Sequence, residues 1–143
     1  MANEKVLLVD DEREFVEVLS ERMGARGVDV DTAASGVEAV DKARQGPYDA
    51  IILDLAMPGM DGLETLKHLL DISPDLQVIL LTGYATVQKG IEAIKLGAMD
   101  FLEKPAEIQR LIEKIQQAKA NRLMLVEKQS EERIKNILES KGW

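Results

Sequence analysis

Three short apolar runs punctuate the chain, at residues 6–9, 50–53 and 78–81. Each is nearly uninterrupted and rich in branched side chains, the pattern of a strand covered on both faces of a parallel sheet. Residues 28–30 and the piece around Phe101 and Leu102 are weaker strand candidates. Between them, apolar residues recur at helical spacing. Phe15, Leu19 and Met23 form one such set, and Leu63, Leu66 and Leu69 or Leu70 a second. Val87, Ile91 and Ile94 follow the same rule, as do Ile108, Leu111 and Ile115. Ser35 with Glu38, and Asp61 with Glu64, have the spacing of a capping box, in which each side chain satisfies an amide left unpaired at a helix start. Gly97 and the Gly46-Pro47 pair stand where helices should stop, and all four prolines fall between predicted elements. The pattern predicts βα repeated five times. Right-handed crossovers then give an α/β fold with a doubly wound five-stranded parallel sheet.

The tail differs. Residues 106–140 contain neither proline nor glycine, and helix formers dominate. A continuous helix there would be about 50 Å long, too long for all of it to pack on a small domain. Its apolar residues after Leu123, Met124, Leu125 and Val126 resume only at Ile134, Ile137 and Leu138, so the heptad is broken. A short helical dimer contact and a second helix folding back both remain open.

Charge and composition narrow the function. The chain of 143 residues carries a net charge of −8. Residues 1–105 hold twenty acidic and ten basic groups, net −10, and residues 106–143 hold six acidic and eight basic, net +2. A negative surface argues against nucleic-acid or anionic-membrane binding by bulk charge. The absence of cysteine removes disulfides, thiolate metal sites and a cysteine nucleophile. A single histidine, His68, makes His-rich zinc sites and a Ser-His-Asp triad poor candidates, and reads as an exposed helix residue. No apolar run is long enough for a signal peptide or membrane span, so a soluble cytoplasmic protein is expected.

The chemistry lies in polar residues at strand ends. The first strand runs into Asp10-Asp11, the third ends at Asp54, the fourth at Thr82, and the fifth at Glu103-Lys104. In an open parallel sheet the carboxyl ends of all strands share one edge, where ligands bind. A lone aspartate at a strand end usually caps a turn or helix, which suffices for Asp61. Acidic, hydroxyl and ammonium groups brought jointly to one edge call for more. Crowded carboxylates are relieved by a proton or a cation. Magnesium suits them, taking hard oxygen ligands while leaving room for a phosphate oxygen.

Four motifs in order carry a resemblance. They are Val6-Leu7-Leu8-Val9-Asp10-Asp11-Glu12, Leu53-Asp54-Leu55-Ala56-Met57-Pro58-Gly59-Met60-Asp61-Gly62, Leu81-Thr82-Gly83, and Gly97-Ala98-Met99-Asp100-Phe101-Leu102-Glu103-Lys104-Pro105. From residue 5 to about residue 118 the chain resembles the CheY-like receiver domain of two-component response regulators. The resemblance implies a flavodoxin-like sheet in the order 2-1-3-4-5. A receiver over residues 1–119 and a C-terminal helical extension over 120–143 then follow. It further implies that Asp54 accepts a phosphoryl group from a phosphohistidine of a sensor histidine kinase or phosphotransfer protein. Asp10, Asp11, Asp54 and the backbone carbonyl of Ala56 would hold Mg2+. Thr82 and Phe101 would form the switch pair, Lys104 would contact the phosphoryl group, and the Lys104–Pro105 bond would be cis.

Three departures stand out. Ala106 replaces the phenylalanine frequent after Lys-Pro. Residues 120–143 are too few for a DNA-binding or ATPase domain, so a stand-alone receiver signalling to a downstream protein is expected. The extension itself lies outside the resemblance. Ala56 can neither donate a proton nor orient water, and Tyr84 is bulky enough to shield the site, so a long-lived phosphoryl state is expected. A homodimer through the fourth helix, fifth strand and fifth helix, or through the C-terminal helix, is a further expectation. Two alternatives compete: a phospho-independent helical adaptor, and a metal-dependent phosphatase with an aspartyl-phosphate intermediate. The phosphatase reading is disfavoured because Ala56 stands where such enzymes, of the haloacid-dehalogenase type, place an acid.

Overall fold

The computed structural model describes residues 3–55, 61–83 and 87–142. Ala56 and Tyr84, with the expectations that rest on them, lie outside the described residues. The elements alternate without exception: β1 (Lys5–Val9), α1 (Arg13–Ala25), β2 (Asp29–Ala33), α2 (Gly36–Gln45), β3 (Ala50–Asp54), α3 (Gly62–Ile72), β4 (Val78–Thr82), α4 (Val87–Leu96), β5 (Asp100–Glu103) and α5 (Ile108–Ser140). The strands form one parallel sheet in the order β2-β1-β3-β4-β5. This is the flavodoxin-like, doubly wound arrangement expected.

Strand pleating divides the core into two layers. Leu7, Val9, Ile51, Leu53, Val78 and Leu80 face one way, against Ala39, Val40, Leu66, Leu69 and Ala93 of α2, α3 and α4. Val6, Leu8, Ile52, Ile79 and Leu81 face the other way, against Leu19 and Met23 of α1 and Leu111, Ile112, Ile115 and Ala118 of α5. Both layers are mostly aliphatic, since aromatics make up only 3% of the chain; Tyr48 is buried in the first. The central strands read as continuous apolar runs because both their faces are dry.

The weak candidates differ in extent. The second strand runs over Asp29–Ala33 rather than residues 28–30. It is an edge strand, and Asp31 in its middle breaks the apolar signal. Asp31 is satisfied there by the Tyr48 hydroxyl at 2.7 Å and the Lys42 ammonium at 3.2 Å. Lys42 also donates to the Thr32 carbonyl. An inward charge on an edge strand discourages pairing with other chains.

Caps follow the predicted spacing with one change. Ser35 Oγ accepts from the Glu38 amide at 3.2 Å, but the Glu38 carboxylate accepts from Ala34, one residue before the expected Ser35 amide. Asp61 Oδ1 accepts from the Glu64 amide at 2.9 Å, as its capping role requires. Gly97 ends α4 at φ 122°, a conformation that side chains disfavour.

The tail is a single helix. α5 continues unbroken for 33 residues, about 50 Å, with no chain reversal. Beyond Ala118 three polar ties hold it to the amino-terminal rim of the sheet. Asn121 donates to Gln77 at 3.2 Å, Arg122 pairs with Asp49 at 3.0 Å, and Gln129 donates to Asp75 at 2.9 Å. Residues 126–142 are exposed. No helix among the described residues is long and apolar enough to cross a membrane.

Candidate functional site

The site forms where β1, β3, β4 and β5 end. Asp10 leaves β1 with its amide donating to Ala33 of β2 at 3.1 Å. Its carboxylate accepts from the Glu12 amide at 3.0 Å, which fixes its direction at the start of α1. Asp54 closes β3 and is only 3% exposed, while Asp11 next to Asp10 is exposed. Each of Asp10, Asp11 and Asp54 offers an oxygen within 4.8 Å of the others.

Lys104 supplies the opposing charge. Its backbone amide donates to Thr82 at 2.8 Å, so the β4–β5 ladder positions it. The peptide bond to Pro105 is cis, as expected. Its ammonium lies 2.9 Å from Asp10, 3.5 Å from Asp54 and 4.0 Å from Glu12. Burial alone would pull the Lys104 pKa down, but the hydrogen bond and charge of Asp10, then Asp54 and Glu12, outweigh it and hold the pKa above its ordinary value.

The fully buried Thr82 ends β4, and its hydroxyl donates to the Leu102 carbonyl over a long 3.4 Å. Phe101 is half-buried beside the α2–α3–α4 layer. Both border Gly90 of α4, where an added Cβ would lie 3.4 Å from Thr82 Cγ2 and 3.5 Å from the Phe101 ring. The two residues expected to form the switch pair thus border the same glycine of α4.

Every described residue singled out from strand ends is therefore on one edge, including groups 94 positions apart in sequence. Two side chains escaped the sequence reading. Glu12 belongs to the first motif but had no role, and it faces Lys104. Phe15 was assigned to the packed face of α1, yet the Lys104 ammonium sits over its ring, 4.4 Å from the centroid. Its place in the first turn of the helix that leaves Asp10-Asp11 is the signal that would have found it.

The donor set fits a hard divalent cation. Two buried carboxylates and one exposed carboxylate converge with an open side, which suits partial hydration.

A sheet in this order, with an acidic pocket and a lysine at its carboxyl edge, is the architecture of a signalling receiver. The chain belongs to the response regulator receiver domain family, whose model matches residues 6–116. It is similar to the transcriptional regulatory protein ZraR of Klebsiella oxytoca, 35% identical over 106 residues that make up 74% of this chain and 24% of ZraR. It is also similar to the C4-dicarboxylate transport transcriptional regulatory protein DctD of Rhizobium meliloti, 34% identical over 87% of this chain and 27% of DctD. The chain thus spans about a quarter of the length of these relatives. A receiver domain protein of Clostridium thermocellum superposes with a TM-score of 0.83 at 31% identity, covering 85% of this chain and 98% of that one. Phosphorylation-dependent signalling of the two-component kind is therefore the chain's class of function.

Proposed function

We propose that Asp54 is the phosphoacceptor of a two-component phosphorelay, taking its phosphoryl group from a phosphohistidine of a sensor histidine kinase or phosphotransfer protein. One observation carries this reading: a single ammonium, Lys104, bridges two buried carboxylates from different strands beside an open acidic edge. A carboxylate needs no general base to attack phosphorus. An Asp54 oxygen forms the new P–O bond as the P–N bond to histidine breaks, and the imidazole leaves with the electron pair. Positioning and charge neutralisation then supply the catalysis. Asp10, Asp11, Asp54 and the Ala56 carbonyl would hold Mg2+, which when bound neutralises charge on the phosphoryl oxygens. Lys104 exchanges its carboxylate partners for a phosphoryl oxygen.

Thr82 gives up its long bond to Leu102 and donates to the phosphoryl group, and Phe101 turns into the space vacated. This repacks the face of α4, β5 and α5 toward a downstream protein. A few kcal/mol between the two states suffices for the switch. The phosphoryl state is long-lived because Ala56 cannot assist water. The chain acts by contact and turns over no separate substrate, in the cytoplasm, with residues 1–119 as receiver and 120–143 as extension.

Incubation with a small phosphodonor and magnesium, read by intact mass, tests this. One added phosphoryl group is expected, absent in Asp54→Asn and in chelator. No added mass with any donor would refute it.

A second reading has its own observation. Leu123, Val126, Ile134 and Ile137 are exposed along one side of α5, consistent with a phospho-independent helical dimer or adaptor. Light scattering before and after phosphorylation separates a permanent dimer from a regulated one.

A further inference from the structure

We infer that Phe15 is a positioning residue for phosphoryl transfer, its ring face holding the Lys104 ammonium at the reacting edge; this rests on the phosphoacceptor reading of Asp54. Lys104 has two kinds of partner. Asp10, Asp54 and Glu12 attract it as anions, and the Phe15 ring attracts it through the negative face of its π system, 4.4 Å from the centroid. The two kinds behave differently during a reaction. Asp10 and Asp54 have other duties: the first belongs to the acidic cluster that suits a cation, and the second changes charge distribution as it becomes an acyl phosphate. Their hold on Lys104 therefore varies along the reaction. Glu12 is two-thirds exposed, and its pull is screened by water.

The ring alone is constant. It neither titrates nor ligates a metal, and it leaves the ammonium protons free for a phosphoryl oxygen. A carboxylate in the same place would compete for those protons. Phe15 is itself held still, half-buried against the α1–α5 layer of the core. The Lys104 side chain is only 20% exposed, so the contact operates where water screens it incompletely. Simple packing would explain burial of the ring, but it does not require a cation over its face.

The test replaces Phe15 with leucine, with tyrosine, and with phenylalanine carrying one, two or three ring fluorines, in the full chain. Fluorine drains the π face with little change of shape, so packing and attraction separate. Two quantities are read. The first is the shift of the Lys104 ε-methylene protons in NMR spectra, which the ring moves upfield whether or not phosphorylation occurs. The second is the labelling rate at saturating acetyl phosphate and magnesium. Phe15→Leu is expected to abolish the upfield shift and to slow labelling about two- to fivefold, the span of a partly screened cation–π contact. Rates should fall stepwise with fluorine number at unchanged melting temperature, and Phe15→Tyr should restore them. A flat fluorine series, or full-rate labelling in Phe15→Leu, overturns the inference alone. No labelling of the unsubstituted chain overturns the phosphoacceptor reading and the inference with it.

Discussion

Replacing Lys104 with methionine tests the charge balance of the pocket most directly. Methionine keeps an unbranched apolar stem and removes only the ammonium. The Asp10 side chain is fully buried and that of Asp54 is 4% exposed, so neither gains much water when the cation goes. Breaking a buried ion pair from one side costs about 3–5 kcal/mol, because the remaining charge is stranded. Lys104 is itself 20% exposed and Asp11 opens one side to solvent, so a smaller loss, about 2–3 kcal/mol, is expected here. For a chain of this length that lowers the melting temperature by about 6–12 °C. The assay is thermal unfolding by circular dichroism at pH 7, in chelator and at low salt. Adding Asp10→Asn to Lys104→Met should recover more than half of the loss, since the carboxylate left closest to the missing ammonium is then neutral. Magnesium should stabilise Lys104→Met more than the unsubstituted chain, because cation and ammonium share the same carboxylates. A loss under about 0.5 kcal/mol, or a double variant no more stable than the single one, would refute the reasoning.

Three further outcomes are expected. Asp54→Asn should raise stability in chelator by about 1 kcal/mol through relief of carboxylate crowding, a gain that magnesium removes; urea titrations with and without the metal read both. Burial, followed by the hydrogen bond to Asp31, pushes the Tyr48 hydroxyl up to about 12 from an ordinary 10.0. Its contribution is therefore complete below pH 10 and is lost as pH rises to about 12, where the unfolded chain ionises first. The stability difference between the parent and Tyr48→Phe should shrink over that window, and a constant difference would contradict it. A Cβ at Gly62 would overlap the Leu55 backbone and lie 2.9 Å from the Asp54 carbonyl, so Gly62→Ala should cost about 1–3 kcal/mol and slow labelling of Asp54. A variant as stable as the parent would show that the strand end yields freely.

The strand alternation and the edge chemistry were largely legible from residue order. Residues 6–9, 50–53 and 78–81 announce buried parallel strands because a strand dry on both faces has no position for a polar side chain. Such strands, alternating with helices, place every strand's end on one edge, so Asp10, Asp54, Thr82 and Lys104 marked a candidate site before any distance was known. Edge strands were less legible. β2 carries Asp31 in its middle, and only the folded chain supplies the Tyr48 hydroxyl and Lys42 ammonium that make it tolerable.

Sequence by itself thus determined the alternation of elements, a sheet covered on both faces and the residues gathered at the carboxyl edge, because hydrophobic periodicity is a local property and alternation with helices makes the strands parallel. Tertiary structure decided what depends on packing between distant segments. It selected one unbroken α5 over a folded-back pair, with ties from Asn121, Arg122 and Gln129 to a rim formed by other loops. It also set the Lys104 ammonium between two buried carboxylates and over the Phe15 ring. No local pattern encodes that meeting, since it joins the end of one strand to the first turn of a helix nearly ninety residues earlier, and only the assembled sheet brings them together.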